Sequence, residues 1–256
     1  MTRDEQWLLE EKYAGHETEE YETDKKRLAS GEPLGYTIGW QPFLGLKIHL
    51  DSHPLIPRVE TEWWTERLLD MLGFVNPTSD VGFTKPNILD LCAGSGAIGC
   101  AALARLPDAH VYFGEIDLAH EATILKNIRD NNLDESRAEV RIGDLFEPFA
   151  GMQFDLIATN PPYIPAGREL PASVTGHEPS IALFAGDDGL AIIRRIAIDL
   201  HNHISPGGQA WIECDSAHAA AACALFTDHG LVADIRTDQY GQPRVIRVEK
   251  RVGSMR

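Results

Sequence analysis

The stretch Ile88-Leu89-Asp90-Leu91-Cys92-Ala93-Gly94-Ser95-Gly96 constrains this chain more than any other. An apolar run of strand length turns through two glycines directly into Ala97-Ile98-Gly99-Cys100-Ala101-Ala102-Leu103, a helical sequence. Glycine has no Cβ, so such a turn lets backbone N–H groups approach a ligand closely at the start of a helix. The chain then keeps alternating strand and helix, the pattern of a largely parallel sheet covered on both faces. Strands are predicted near Asn87–Leu91, His110–Glu115, Ala138–Ile142, Phe154–Thr159, Gln209–Cys214, Val232–Thr237 and Val245–Glu249. Helices fit between them at Ala97–Leu106, His120–Asn131, Leu190–Ile204 and Ala217–His229. The final two strands are too close for a crossover helix, so the last is expected antiparallel to its neighbour. The fold class expected is α/β.

Ahead of this core, residues 1–30 are charged and helix-permissive, with apolar residues too sparse to build a core of their own. Alternation at Phe43, Leu46, Ile48 and Leu50 suggests one or two short strands, a helix follows from about Thr61 to Leu72, and Asn76–Pro86 is a loop by composition. The expected organisation is a short helical segment over 1–35, a strand linker over 36–60 and the main domain over 61–256. At 256 residues, 43% hydrophobic and 24% charged, the chain suits one full-sized domain with a small appendage. Its net charge of −16 repels a phosphate backbone, so nucleic acid is not an expected partner. No apolar run approaches the roughly 20 residues of a membrane span. Asp4, Glu5, Glu10 and Glu11 differ from the basic start of a secretory signal, and a cytoplasmic location is expected. Cys92, Cys100, Cys214 and Cys223 show no paired spacing, and His201 and His203 cannot share a helix face, so no metal is expected.

An acidic residue about 20 positions beyond a Gly-rich turn is placed to accept hydrogen bonds from ribose hydroxyls. Asp117 occupies that place, with Glu115 as its competitor. No nearby basic residue awaits a phosphate, which favours a ligand bearing adenosine without pyrophosphate, such as S-adenosylmethionine. Asp90 would tolerate its sulfonium. Asp144, in Gly143-Asp144-Leu145-Phe146, is placed to accept from the adenine amino group while Leu145 packs on the ring. The strand Phe154–Thr159 ends in Asn160-Pro161-Pro162-Tyr163. Two prolines hold that backbone still, so the Asn160 side chain and the Pro161 carbonyl can face a substrate NH₂ group while Tyr163 offers a flat face.

In these motifs the chain resembles the class I S-adenosylmethionine-dependent methyltransferases, and within them the HemK/PrmC family that methylates the glutamine amide of peptide chain release factors. Gly31-Glu32-Pro33-Leu34-Gly35-Tyr36 with Gly39 resembles that family's entry motif, and Leu55-Ile56-Pro57-Arg58-Val59-Glu60-Thr61-Glu62 its L-I-P-R-P-E-T-E. Glu178-Pro179, Gly186 to Leu190, Pro206-Gly207-Gly208, Glu213 and Gly241 to Arg244 recur in family order, so that the similarity runs from Gly31 to Arg247. The resemblance implies a Rossmann-like methyltransferase sheet and a cofactor site of Cys92, Ala93, Gly94, Ser95, Gly96, Asp117, Asp144, Leu145 and Asn160. It implies that Asn160, Pro161, Pro162 and Tyr163 hold the glutamine, with Asn160, Pro161 and Tyr163 serving catalysis, and that Arg58, Glu60 and Glu62 shape the pocket wall. The implied partner is the Gly-Gly-Gln loop of a release factor, met by a monomer; S-adenosylhomocysteine is the implied product. Cys92, Val59 and Asp215 depart from the family pattern, and the segment ahead of the entry motif is shorter than usual. Methylation of an exocyclic adenine amine, or of a ribosomal protein's glutamine, stays open at this point, because each offers a planar, conjugated NH₂.

Overall fold

The computed structural model describes residues 1–73 and 85–250. Its elements in order are α1 (Arg3–Tyr13), α2 (Glu19–Ala29), α3 (Leu34–Ile38), β1 (Trp40–Phe43), β2 (Leu46–His49), α4 (Val59–Gly73), β3 (Asn87–Leu91), α5 (Ala97–Arg105), β4 (His110–Glu115), α6 (Glu121–Asp130), β5 (Ala138–Ile142), β6 (Phe154–Thr159), α7 (Ala172–Thr175), α8 (Ala191–His203), β7 (Ile204–Glu213), α9 (Ala219–Asp228), β8 (Val232–Thr237) and β9 (Pro243–Glu249). Residues 76–84 of the expected loop lie outside the described residues. The short helix α3 spans the expected division between residues 35 and 36.

The main sheet has seven strands in the order β5-β4-β3-β6-β7-β9-β8. Pairs from β5 through β7 are parallel, whereas β9 runs antiparallel to both β7 and β8. The expectation for the last strand is met: with only a few residues between β8 and β9, the chain can return only in the opposite direction. From β3 the chain builds outward through β4 and β5, then returns to β6 on the other side of β3. That reversal opens a crevice at the carboxyl ends of β3 and β6. Register brings the strand ends level, with Leu91 opposite both Gly114 and Thr159 and Glu115 opposite Ile142. The Cys92 turn, Glu115, Gly143 and Asn160 therefore emerge along one edge.

Strand periodicity distributes the core between two faces. Ile88, Val111 and Phe113 pack with Trp64, Leu68, Leu103, Ile124 and Ile128 from the helices on one side. Leu89, Leu91, Ile157 and Ile212 pack with Ile193, Ile196, Leu200 and Phe226 on the other. Near Gly99 the packing is close enough that a Cβ would lie 2.2 Å from the Phe113 ring, so glycine is what lets α5 lie against β4.

The β1–β2 hairpin is fastened to this core by side-chain amides. Asn127, fully buried on α6, accepts from His49 N at 2.7 Å and donates to the carbonyls of His49 and Ser95 at 3.1 and 2.9 Å. One side chain thus ties the hairpin edge to the glycine turn. Thr2 caps α1 in a reciprocal arrangement with Glu5, and Thr18 caps α2 by accepting from Tyr21 N. Lys12 of α1 donates to Asp24 Oδ2 at 2.6 Å and to the Thr37 carbonyl at 2.7 Å, joining both N-terminal helices to α3.

Candidate active site

The crevice at the reversal is a cleft whose floor is the glycine turn. Cys92, Ala93, Gly94 and Ser95 line it, with Glu115 and Ile116 from the end of β4, Asp144 and Leu145 beyond β5, and Asn160 and Pro162 beyond β6. Gly94 has φ 55°, and a Cβ there would meet only Pro54 at 3.9 Å, so the turn presents open backbone to the cleft. Gly96 has a different task. It stands at the N-terminus of α5 with φ 77°, and a Cβ would press on Ile124 and Phe113 at 3.1 and 3.2 Å. It shapes the turn from behind and does not line the cleft.

Of the two candidate acids, Glu115 lines the cleft and Asp117 does not. Glu115 is 7% exposed; its Oε2 accepts from Gly94 N at 2.7 Å, and its Oε1 from Ile116 N and Asp117 N at 2.9 Å each. Asp117 Oδ1 instead accepts from Ala119 N at 2.9 Å, capping a 3-10 turn. Asp90 is 1% exposed, lies behind the turn and accepts from Gly99 N at 2.8 Å. Burial, above all, raises its carboxyl well above the ordinary range. Burial and the nearby Glu115 also push the Cys92 thiol up to about 12, leaving it protonated and a poor nucleophile. Cys92 holds φ 59° without being glycine, a conformation costing about 1–2 kcal/mol.

Beyond β6, Pro161 is buried and Tyr163 is half-buried, both off the cleft lining. The Tyr163 hydroxyl donates to Glu213 Oε1 at 3.0 Å. Burial and the Glu213 charge raise its pKa well above the usual value, so it stays protonated. Glu213, 1% exposed at the end of β7, also takes Thr61 Oγ1–H and Trp64 Nε1–H on Oε2, each at 2.7 Å. Desolvation by burial raises its carboxyl despite these donors. Asn160 Nδ2 reaches Thr61 Oγ1 at 3.2 Å.

Arg58 and Glu62 do not line the cleft; Arg58 holds one of its walls. Arg58 donates to Glu178 Oε1 at 2.6 Å, and Glu178 Oε2 accepts from Ile56 N at 3.3 Å. This pins the loop that brings Ile181 and Ala182 to the cleft. Glu62 accepts from Leu44 N at 2.6 Å and steadies the hairpin turn. The departures from the motif pattern are also accounted for. Val59 is 55% exposed at the start of α4, where a proline's fixed φ is helpful but not required. Asp215 pairs with Arg168 from the segment after Tyr163 and accepts from Ala217 N at 2.8 Å.

Several cleft residues were not assigned from sequence. Thr61 sits between Glu60 and Glu62, and its hydroxyl lines the cleft edge beside Asn160. His120 lines the cleft, its Nδ1 2.9 Å from Ser52 Oγ, and Arg195 of α8 lines it while donating to Asp144 Oδ2 at 2.7 Å. Nothing local in the sequence marks His120, Arg195, Ile181 or Ala182, because only the folded chain brings them to the strand ends. Among the described residues, no group of three or more His, Cys, Asp or Glu is arranged to hold a metal.

Residues 74–175 match the model of the methyltransferase small domain family. The release factor glutamine methyltransferase of Deinococcus radiodurans is 32% identical over 231 residues, covering 89% of this chain and 78% of that one. Its counterpart in Streptococcus pneumoniae is 34% identical, covering 88% and 77%. The chain belongs to the release factor glutamine methyltransferase family. A Pyrococcus furiosus methyltransferase has the same fold, with TM-score 0.57 at 14% identity, covering 90% of this chain and 98% of that one. So does the Thermus thermophilus 16S rRNA methyltransferase RsmC, in complex with AdoMet and guanosine, with TM-score 0.56 at 21% identity over 83% and 50% of the two chains. In this family member, the motif from Leu55 to Glu62, the glycine turn and Asn160 to Tyr163 all converge on the same end of the sheet.

Proposed function

We propose that this protein transfers a methyl group from S-adenosylmethionine to the side-chain amide nitrogen of the glutamine in a release factor's Gly-Gly-Gln loop. The observation that carries the reading is Asn160 at the mouth of the glycine-turn cleft, in a chain related over most of its length to enzymes named for that substrate.

The cleft suits the cofactor. Gly94 leaves its backbone open, two carboxylates line the walls, and Arg195, the one lining guanidinium among the described residues, is already paired with Asp144. Such a lining suits a cationic adenosine ligand better than a phosphate ester. Gly94 and Ser95 would hold the methionyl part, Leu145 and Asp144 the adenine, and Glu115, by its place on the wall, the ribose hydroxyls. S-adenosylmethionine supplies a methyl group on a sulfonium, a good electrophile. The amide nitrogen of glutamine is a poor nucleophile because its lone pair is delocalised. Asn160 Oδ1 and the Pro161 carbonyl accept hydrogen bonds from its two N–H groups and turn the nitrogen toward the donor, and the proton that the nitrogen loses on methylation passes to solvent. Tyr163, fixed through Glu213, supports the loop that holds them. Catalysis by these residues is positioning and polarisation.

The adenine reading has less support, since a net charge of −16 opposes a nucleic acid backbone. A release factor places the reaction in the cytoplasm. Asn160→Ala tests the assignment: turnover falls about 10²- to 10³-fold as positioning and electrostatic stabilisation are lost. Cofactor affinity, by calorimetry, changes far less. Undiminished turnover in this variant removes Asn160 from the chemistry.

A further inference from the structure

An asparagine amide can present either its oxygen or its nitrogen toward a neighbour with almost the same heavy-atom positions. At Asn160 the surrounding donors leave one choice. Trp64 Nε1 can only donate, so Glu213 Oε2, 2.7 Å away, acts as an acceptor. Thr61 has one hydroxyl proton, and with Glu213 ionised that proton, 2.7 Å from the same Oε2, is committed to Glu213. Only lone pairs remain on Thr61 Oγ1. The Asn160 atom 3.2 Å from it must therefore be the donor Nδ2, which turns Oδ1 the other way. Thr61 is 3% exposed and Glu213 1%, so water does not readily replace either partner. Trp64 is itself clamped, 1% exposed and stacked on Trp211 at 6.4 Å. Thr61 and Asn160 both line the cleft.

We propose that Thr61 and Glu213 are positioning residues that lock the Asn160 amide with its oxygen toward the acceptor substrate, making the site selective for a group that brings N–H. A glutamine amide satisfies that oxygen. A glutamate carboxylate at the same place sets lone pairs against lone pairs and is refused. With the amide reversed, Nδ2 faces the cleft and the substrate nitrogen loses an acceptor. The proposal rests on the reading of Asn160 as the group that meets the acceptor nitrogen.

Thr61→Val keeps the shape of the side chain and removes the hydroxyl, while Thr61→Ser keeps the hydroxyl. Methyl transfer to a release factor and calorimetry of S-adenosylmethionine are measured on both variants, with unfolding curves as the check on folding. The expected result is a loss of about 30- to 100-fold in kcat for Thr61→Val, the scale of a misplaced reacting group. Cofactor Kd stays within about threefold, and Thr61→Ser recovers kcat to within a similar factor of wild type. A Thr61→Val enzyme that keeps its kcat overturns the proposal. So does a loss that Thr61→Ser does not recover, or one matched by an equal loss of cofactor binding. Neutron diffraction of the exchanged wild-type protein decides the matter without substrate or variant. Both Asn160 amide deuterons should lie on the atom facing Thr61, and the Thr61 deuteron on the line to Glu213. Deuterons on the cleft-facing atom overturn the proposal. Wild-type protein that leaves the release factor unmethylated overturns the functional reading instead, and the neutron result still judges the orientation.

Discussion

Replacing Glu115 by glutamine removes a charge from the cleft wall and changes little else in size. Glu115 gathers three backbone N–H groups, Gly94 on Oε2 and both Ile116 and Asp117 on Oε1. Glutamine has one acceptor oxygen, and the two N–H groups at the Oε1 position claim it. The new NH₂ then faces Gly94 N–H, donor against donor. One buried unsatisfied donor costs about 1–3 kcal/mol of stability. Loss of a charged acceptor for ribose hydroxyls costs about 1.5–3 kcal/mol of binding, or roughly 10- to 100-fold in Kd. Asp117→Asn should behave differently. Its oxygen still caps Ala119, so Kd should stay within about twofold, as expected for a group off the cleft. Calorimetry with S-adenosylmethionine and S-adenosylhomocysteine, done below the unfolding midpoint of each variant, separates the two. Wild-type affinity in Glu115→Gln together with a tenfold loss in Asp117→Asn would refute the assignment.

Two further predictions follow from the packing behind the turn. The buried Asp90 carboxyl holds its proton to higher pH than it does in the unfolded chain, so stability is fully present below about pH 4, the ordinary Asp range. It is lost progressively as pH rises toward the folded pKa. Asp90→Asn should flatten that decline in urea unfolding measured across a pH series, and an unchanged slope contradicts the burial argument. Gly99→Ala places a Cβ against the Phe113 ring and should lower stability by about 1–3 kcal/mol, with partial recovery on adding Phe113→Leu. Thermal unfolding of the single and double variants reads this directly, and an undisturbed single variant contradicts it.

The strand and helix alternation was legible because period-2 and period-3.6 patterns reflect which faces are buried. The site was legible where chemistry lies in consecutive residues: Cys92 to Ser95 form the floor, and Asn160 and Pro162 follow β6 into the cleft. Spacing alone could not decide between Glu115 and Asp117, two residues apart at a strand end. What separates them is which carboxylate turns back toward Gly94, a matter of backbone direction after β4. Arg58 and Glu62 sit in the most distinctive motif, yet neither lines the cleft: Arg58 acts on a wall through Glu178, and Glu62 holds the β1–β2 turn through Leu44 N. The Thr61–Glu213 bond joins residues 152 positions apart and leaves no local trace.

Which nitrogen is methylated can be read directly. Purified protein, S-adenosylmethionine with a labelled methyl group and a release factor are combined beside two controls, the same factor with the loop glutamine changed to asparagine and an adenine-containing oligonucleotide. Peptide mass spectrometry locates the label. One methyl group should appear on the side-chain amide of the Gly-Gly-Gln glutamine and none on either control, because shortening the side chain by one methylene withdraws the nitrogen by about 1.5 Å, a large misplacement for a reacting atom. Label that persists on the asparagine loop, or appears on adenine, contradicts it.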